Sequence, residues 1–346
     1  MADGLVGVLM TFIAGALNGS FAAPTKCMKS WKWENTWAVW AFVALTIFPW
    51  TLGILTVPDL LTLYRNGGDI YPLTLLIGFG VGFGLSQILF GLAIHSIGIS
   101  LSFAISIGIS TALGSLLPLM IFHSKDVLTP TGGLIVAGVF VLLIGIVVCS
   151  IAGRSKEKAL SISGRPQLSD TAQPKSFGRG LLLSVLSGVS APLLNFGLIF
   201  GAPLMAIATA RGVSQGNQAN VVWPPLMTAA AIPFALYCLY LWKKNHSFGL
   251  FAQNGTTLYW LLGAIMGVLW TGSVVLYGAA SVRMGSLGPI LGWPLFMSVI
   301  IITSNVWGLA TGEWRGAGRK PITIMAIGIL FLILGFCTLA AAFRTA

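Results

Sequence analysis

The hydrophobic residues of this chain fall into long runs, and the polar residues are largely confined to the gaps between them. Ten runs can be marked: 4–23, 36–57, 72–95, 98–122 and 131–152, then 179–203, 219–242, 257–280, 286–310 and 321–343. As helices rising about 1.5 Å per residue, each is long enough to cross about 30 Å of hydrocarbon. The pattern predicts an all-α polytopic membrane protein with ten transmembrane helices. One gap is long. Arg154 to Arg179, reading RSKEKALSISGRPQLSDTAQPKSFGR, divides the chain into a first half (1–153), a basic connector (154–178) and a second half (179–346).

The two halves echo each other. GVFVLLIG at 138–145 reappears as GILFLILG at 328–335, and FGLAIHSIGIS at 90–100 matches YGAASVRMGSL at 277–287. Gly78 and Gly82 are echoed by Gly263 and Gly267. Three such matches in one order predict a five-plus-five duplication. With an odd number of spans per copy the second copy inserts upside down, a plan that places a site between the repeats near the midplane.

Composition narrows the class. Only 8% of residues are charged and 56% are hydrophobic, where soluble domains carry about 25% charge. The 43 glycines suit membrane helices that approach closely. A net charge of +11 could suggest nucleic acid, but the cations cluster between apolar runs, so the lipid bilayer is the expected partner and nucleic acid is not. With the N-terminus outside, the inner loops hold Lys26, Lys29, Lys32, the six cations of the connector, Lys243, Lys244, Arg315, Arg319 and Lys320. The positive-inside rule therefore puts both termini outside and the connector in the cytoplasm. Cys27, Cys149, Cys238 and Cys337 are far apart, and neither a metal site nor a disulfide framework follows from them. Asp3 and the lack of an early Lys or Arg make the first run a permanent helix rather than a signal peptide.

The spans contain almost no ionisable groups. Asp59, Asp69, Asp126, Glu157, Asp170 and Glu313 fall in predicted loops, Glu34 at a span edge and Asp3 at the terminus. No paired carboxylates, nucleophile–base arrangement or phosphate-cradling loop appears, so neither an enzyme nor a cofactor is expected. GFGVGFG at 78–84 reads as a helix-packing surface. What remains is neutral and aromatic. Asn18, Gln87, Asn195, Trp270, Tyr277 and Trp293 form the candidate substrate-binding set, with Ser102, Ser106 and Ser110 on one face of span 4. Amides and hydroxyls suit the OH groups of an uncharged ligand, and aromatic faces suit its C–H faces. Against this, serines also join helices. Trp37, Trp40, Trp50, Trp260 and Trp307 are assigned as interfacial anchors. His95, at the end of span 3, is the one histidine close to the membrane.

Particular strings add to this. AAPTKCMKSWKWENTWAVWAF (22–42), FPW (48–50), FGLAIHSIG (90–98), Trp270 with Tyr277, Trp293 with Met297 and Ser298, and EWRGAGRKPITI (313–324) occur in one order. In that order the chain resembles the L-rhamnose–proton symporter family of the drug/metabolite transporter superfamily. The resemblance implies two inverted five-helix repeats and proton-driven uptake of a monosaccharide across the bacterial inner membrane. A proton symporter ordinarily uses a membrane-embedded acid or histidine; the candidates here are His95 and Glu34. Two alternatives stay open at this point: a facilitator or exporter of another small neutral metabolite, and a non-transporting membrane sensor.

Overall fold

The computed structural model describes residues 2–66, 70–162 and 177–345, and among these the regular structure is helical, without strands. Ten helices are long and apolar enough to cross a membrane: Asp3–Cys27, Trp33–Thr56, Tyr71–Ile97, Ile99–Phe122, Pro130–Ser161, Phe177–Ala210, Trp223–Asn245, Thr257–Arg283, Gly285–Ala310 and Arg319–Phe343. They are numbered spans 1 to 10. The protein is an all-α, multi-pass membrane protein, as its hydrophobic pattern predicts.

The departures from the predicted spans have local causes. Span 5 belongs to a helix that continues to Ile162, because Lys156, Glu157, Lys158, Ala159 and Leu160 are all good helix formers. Glu157 is therefore helical rather than in a loop, and the rest of the connector, 163–176, lies outside the described residues, as does Asp69. Span 6 is broken into Phe177–Ser190, Leu193–Phe200 and Ala202–Ala210. Pro192 and Pro203 lie at the two breaks, where proline cannot donate a helical hydrogen bond. A short extra helix, Leu60–Asn66, follows span 2. Its Tyr64 hydroxyl donates to Val221 O at 2.8 Å, and burial pushes that phenol's pKa up. Span 2 carries a π-helical turn at Val43–Ile47.

The helices group into two compact units, each drawing on both halves of the sequence. One comprises Met1–Gly4, Ser86–Pro192 and Ile290–Ala346; the other comprises Leu5–Leu85 and Leu193–Pro289. In the first, spans 5 and 10 interlock through glycines. A methyl group on Gly138 would fall 2.7 Å from Leu339 Cγ, and one on Gly145 2.9 Å from Leu332 Cδ2. The exchange is mutual: Gly335 faces Leu142 and Gly328 faces Cys149, at 2.6 Å in each case. The glycines of the repeated octapeptide thus meet large side chains from the other copy of it or from just beyond it.

In the second unit, span 8 approaches span 2 at Gly263 and Gly267, which face Val39 and Val43. On span 3 the close approach is made by Gly80 and Gly84 rather than by Gly78 and Gly82. Gly80 and Gly84 abut the backbone of span 7 at Leu226 and Ala230, whereas Gly82 faces Leu193 and Gly78 has open space around it. Identity alone could not separate four glycines at alternate positions; only the helix they meet does.

Candidate functional site

In the second unit, span 8 presents one buried polar strip. Trp270, Ser273, Tyr277 and Ser281 recur at helical spacing and all are buried. Span 1 meets it through Asn18, whose amide Nδ2 donates to Ser273 Oγ at 2.7 Å, while that hydroxyl donates to Trp270 O at 2.6 Å. The broken span 6 meets it through Asn195. Tyr277 OH donates to Asn195 Oδ1 at 2.5 Å, and Asn195 Nδ2 donates to Pro289 O at 3.1 Å. Asn18 and Trp270 are therefore joined through Ser273, and Asn195 and Tyr277 are joined directly. Sequence reasoning missed Ser273 and Ser281; their spacing from Trp270 is the signal that would have found them.

Trp270, 7% exposed, sits between two aromatic neighbours. Phe83 stacks near it, with centroids 6.0 Å apart and planes 25° apart, and Trp40 meets it edge-on at 5.3 Å. Trp40 continues the contact to Trp37 at 5.1 Å and to Phe234 at 5.7 Å. This corrects the reading of Trp40 as an interfacial anchor: it is 2% exposed, and its Nε1 is a buried donor with no hydrogen-bond partner among the described residues. In the sequence Trp37, Trp40 and Trp50 read together as anchors, but Trp40 packs inward against Trp270 and Phe234. Trp260 and Trp307 are exposed, as an anchor requires.

Span 2 begins with a second cluster. Glu34, predicted at a span edge, is 2% exposed. Its Oε1 accepts from Ser247 Oγ at 2.5 Å and from Asn245 Nδ2 at 2.9 Å. Asn35 Nδ2 donates to Ser247 O, Lys32 Nζ to Asn245 O and Trp31 Nε1 to Leu250 O, each at 3.0 Å. Four positions between 31 and 35 thus tie the start of span 2 to the end of span 7 and the turn after it. The titratable groups within electrostatic reach of the carboxylate are Lys32, Tyr237 and Cys238.

The first unit holds the remaining candidates. Gln87 is half-buried and donates to Ser86 Oγ at 3.1 Å, and Ser187 Oγ donates to Ser86 O at 3.0 Å. Trp293 is fully buried, donates Nε1 to Ser110 O at 2.9 Å and lies against Gly114. Ser106 donates to Ser184 O at 2.9 Å where Gly188 meets the backbone of span 4. Ser102 and Ser110 keep buried hydroxyls without partners among the described residues. The serine face of span 4 is thus a seam with the first piece of span 6. His95, in the last turn of span 3, is exposed. Glu157 is half-buried and accepts from Ser100 Oγ at 3.1 Å.

A cavity of about 490 Å³ in the second unit is lined by Met10, Leu17, Phe48, Leu269 and Leu276 among others. Its walls are apolar and offer a hydroxylated ligand no partner, so the polar strip of span 8 is the candidate site.

Ten spans, a buried neutral polar strip flanked by aromatic rings and, among the described residues, a single buried carboxylate at the head of span 2 describe membrane transport better than catalysis. Comparison with known proteins agrees. Residues 1–342 match the family described as L-rhamnose-proton symport protein. A protein named L-rhamnose-proton symporter from Yersinia pestis (strain Pestoides F) is 28% identical over 337 residues, 95% of each chain. One of the same name from Citrobacter koseri is 28% identical over 338 residues, again 95% of each. With the match running through all ten spans, the chain belongs to the L-rhamnose-proton symport protein family.

Proposed function

We propose that this protein is a secondary active transporter that imports L-rhamnose, or a closely related monosaccharide, together with protons across a bacterial inner membrane. The family match over nearly the whole chain carries this reading, and the neutral, aromatic-flanked strip of span 8 supports it. A sugar has no net charge, so its site needs hydrogen-bonding groups and flat apolar faces rather than buried ions. Trp270 supplies the face and Asn18, next to it through Ser273, supplies an amide. Gln87, in the first unit, is a separate candidate for a sugar hydroxyl. Asn195 and Tyr277 are committed to bonds within their own unit and shape the walls, and Trp293 is committed to a bond within the other unit.

Transport proceeds by alternating access between two inverted five-helix repeats, with both termini outside. The mutual glycine contacts of spans 5 and 10 support the inversion, since a two-fold relation exchanges the partners in that way. Glu34 is the proton carrier. A carboxylate whose hydrogen-bond partners are neutral can be protonated without disrupting an ion pair. His95, exposed at a helix end, has a secondary claim at most.

Counterflow of labelled L-rhamnose in proteoliposomes, with and without a pH gradient, tests this. Saturable counterflow and uphill accumulation driven by an acidic exterior are expected. Absence of counterflow with L-rhamnose would exclude that substrate, and accumulation indifferent to the gradient would exclude proton coupling.

A further inference from the structure

The π-helical turn of span 2 leaves a backbone account open. In a π turn each N–H bonds five residues back, and Phe48 N–H accordingly goes to Val43 O. The next donor would be residue 49, which is proline and has no N–H. Ala44 O is thus deprived of its backbone donor, and Ala44 is fully buried. In hydrocarbon no water can replace the donor. Thr271 of span 8 does so instead: its Oγ1 donates to Ala44 O at 2.7 Å. One turn before Thr271, Gly267 lets span 8 close on Val43 and the Ala44 nitrogen.

This bond sits between two independently anchored pieces of span 2. The piece before it, Trp33–Phe42, holds Glu34 and Trp40. The piece after it, Phe48–Thr56, is fixed by Trp50 Nε1 donating to Thr228 Oγ1 at 2.8 Å and by Asn220 Nδ2 donating to Thr56 Oγ1 at 2.9 Å. A π turn inserts one residue, rotating the preceding piece by about 100° relative to a continuous helix. That rotation determines which face of span 2 meets Trp270, and Trp40 with its partnerless indole N–H is the side chain that results.

We propose that Thr271 is a positioning residue for sugar binding: by carrying the orphaned Ala44 carbonyl it fixes the π turn, and so holds Trp40 against Trp270 as the second aromatic wall of the site, its indole N–H facing a sugar hydroxyl. The inference rests on the assignment of Trp270 to the sugar. Thr271 itself touches no substrate; its effect passes through the backbone of span 2.

The test compares Thr271→Val, which keeps the shape and loses the hydroxyl, with Thr271→Ser, which keeps the hydroxyl. Each is measured in proteoliposomes by L-rhamnose counterflow, with protein abundance and thermal stability followed in parallel. Thr271→Val is expected to raise KM about tenfold with kcat retained, and Thr271→Ser to stay within about threefold of the parent, tenfold being ~1.4 kcal/mol. The decisive variant is Thr271→Val with Pro49→Ala. Alanine restores an N–H to residue 49, so Ala44 O regains a backbone donor and KM returns toward the parent value. Equal KM for Thr271→Val and the parent, or no rescue by Pro49→Ala, overturns the proposal. Trp270→Ala separates the two levels. If it raises KM while Thr271→Val does not, the positioning role fails and the sugar site stands; if it too leaves KM unchanged, the site assignment itself fails.

Discussion

Spans 5 and 10, and spans 2 and 8, come together by the same device and to different ends. Both pairs use glycines to bring helices close: Gly138, Gly145, Gly328 and Gly335 in the first, Gly263 and Gly267 in the second. The first pair fills the space with leucines and a cysteine. The second places beside its glycines an orphaned carbonyl, an indole N–H without an acceptor and, two turns away, a buried carboxylate. Without a hydrophobic drive between helices in lipid, close packing is what holds a pair together. The seam of spans 5 and 10 spends its close approach on cohesion alone. The pair of spans 2 and 8 spends it on holding polar groups where water cannot reach them, and transport chemistry has its opportunity there.

The comparison breaks most visibly at Glu34. Glu34→Gln keeps the bond from Ser247 and removes the titrating oxygen, so accumulation driven by a pH gradient is expected to vanish while L-rhamnose counterflow persists. Proteoliposome uptake at imposed gradients measures both. Accumulation that survives Glu34→Gln would leave the head of span 2 a structural clamp, no different in kind from the seam. Trp270→Ala comes next: KM for counterflow is expected to rise about thirtyfold or more, roughly 2 kcal/mol, with abundance in the membrane preserved. The seam should behave in the opposite way. Gly145→Leu forces a side chain against Leu332, an overpacking cost of about 1–3 kcal/mol, and Gly335→Leu does the same against Leu142. Thermal stability in detergent should fall for both while KM stays at the parent value. A change in KM without loss of stability would place the seam in the transport machinery and dissolve the distinction.

How much of this was legible in the sequence follows from the same contrast. The ten spans were, because a run of twenty apolar residues has only one stable place to be; the repeated octapeptide pointed to a duplication, but that its two copies pack together is visible only in the structure. The site was legible only in part. Trp270, Asn18 and Tyr277 stood out as polar or aromatic residues inside apolar runs, but Ser273, which joins Asn18 to Trp270, did not, since one serine among many carries no mark. Glu34 and Trp40 lay within a few residues of a span end and read as surface. Their burial depends on Asn245, Ser247 and Trp270, all more than 200 residues away in sequence. The π turn was invisible as well: FPW shows a proline, but that its missing N–H leaves Ala44 O to Thr271 is a fact of spans 2 and 8 together.

The smallest expected effect falls on His95, and it sharpens the comparison from outside both pairs. A histidine is the side chain whose unperturbed titration lies nearest neutral pH, which made His95 a coupling candidate when position alone was known. Coupling needs more than a suitable titration range. The group must gain and lose its proton at a cost that differs between outward and inward states, which partners that change between the states can supply; His95 is exposed in the last turn of span 3. On the proposed mechanism Glu34 has that difference, through the hydrogen bonds from Ser247 and Asn245. His95→Asn is therefore expected to leave gradient-driven accumulation within about twofold of the parent, under ~0.5 kcal/mol, across the pH range in which Glu34→Gln has lost it. Loss of accumulation in His95→Asn with retention in Glu34→Gln would invert the assignment and move proton coupling from the head of span 2 to the end of span 3.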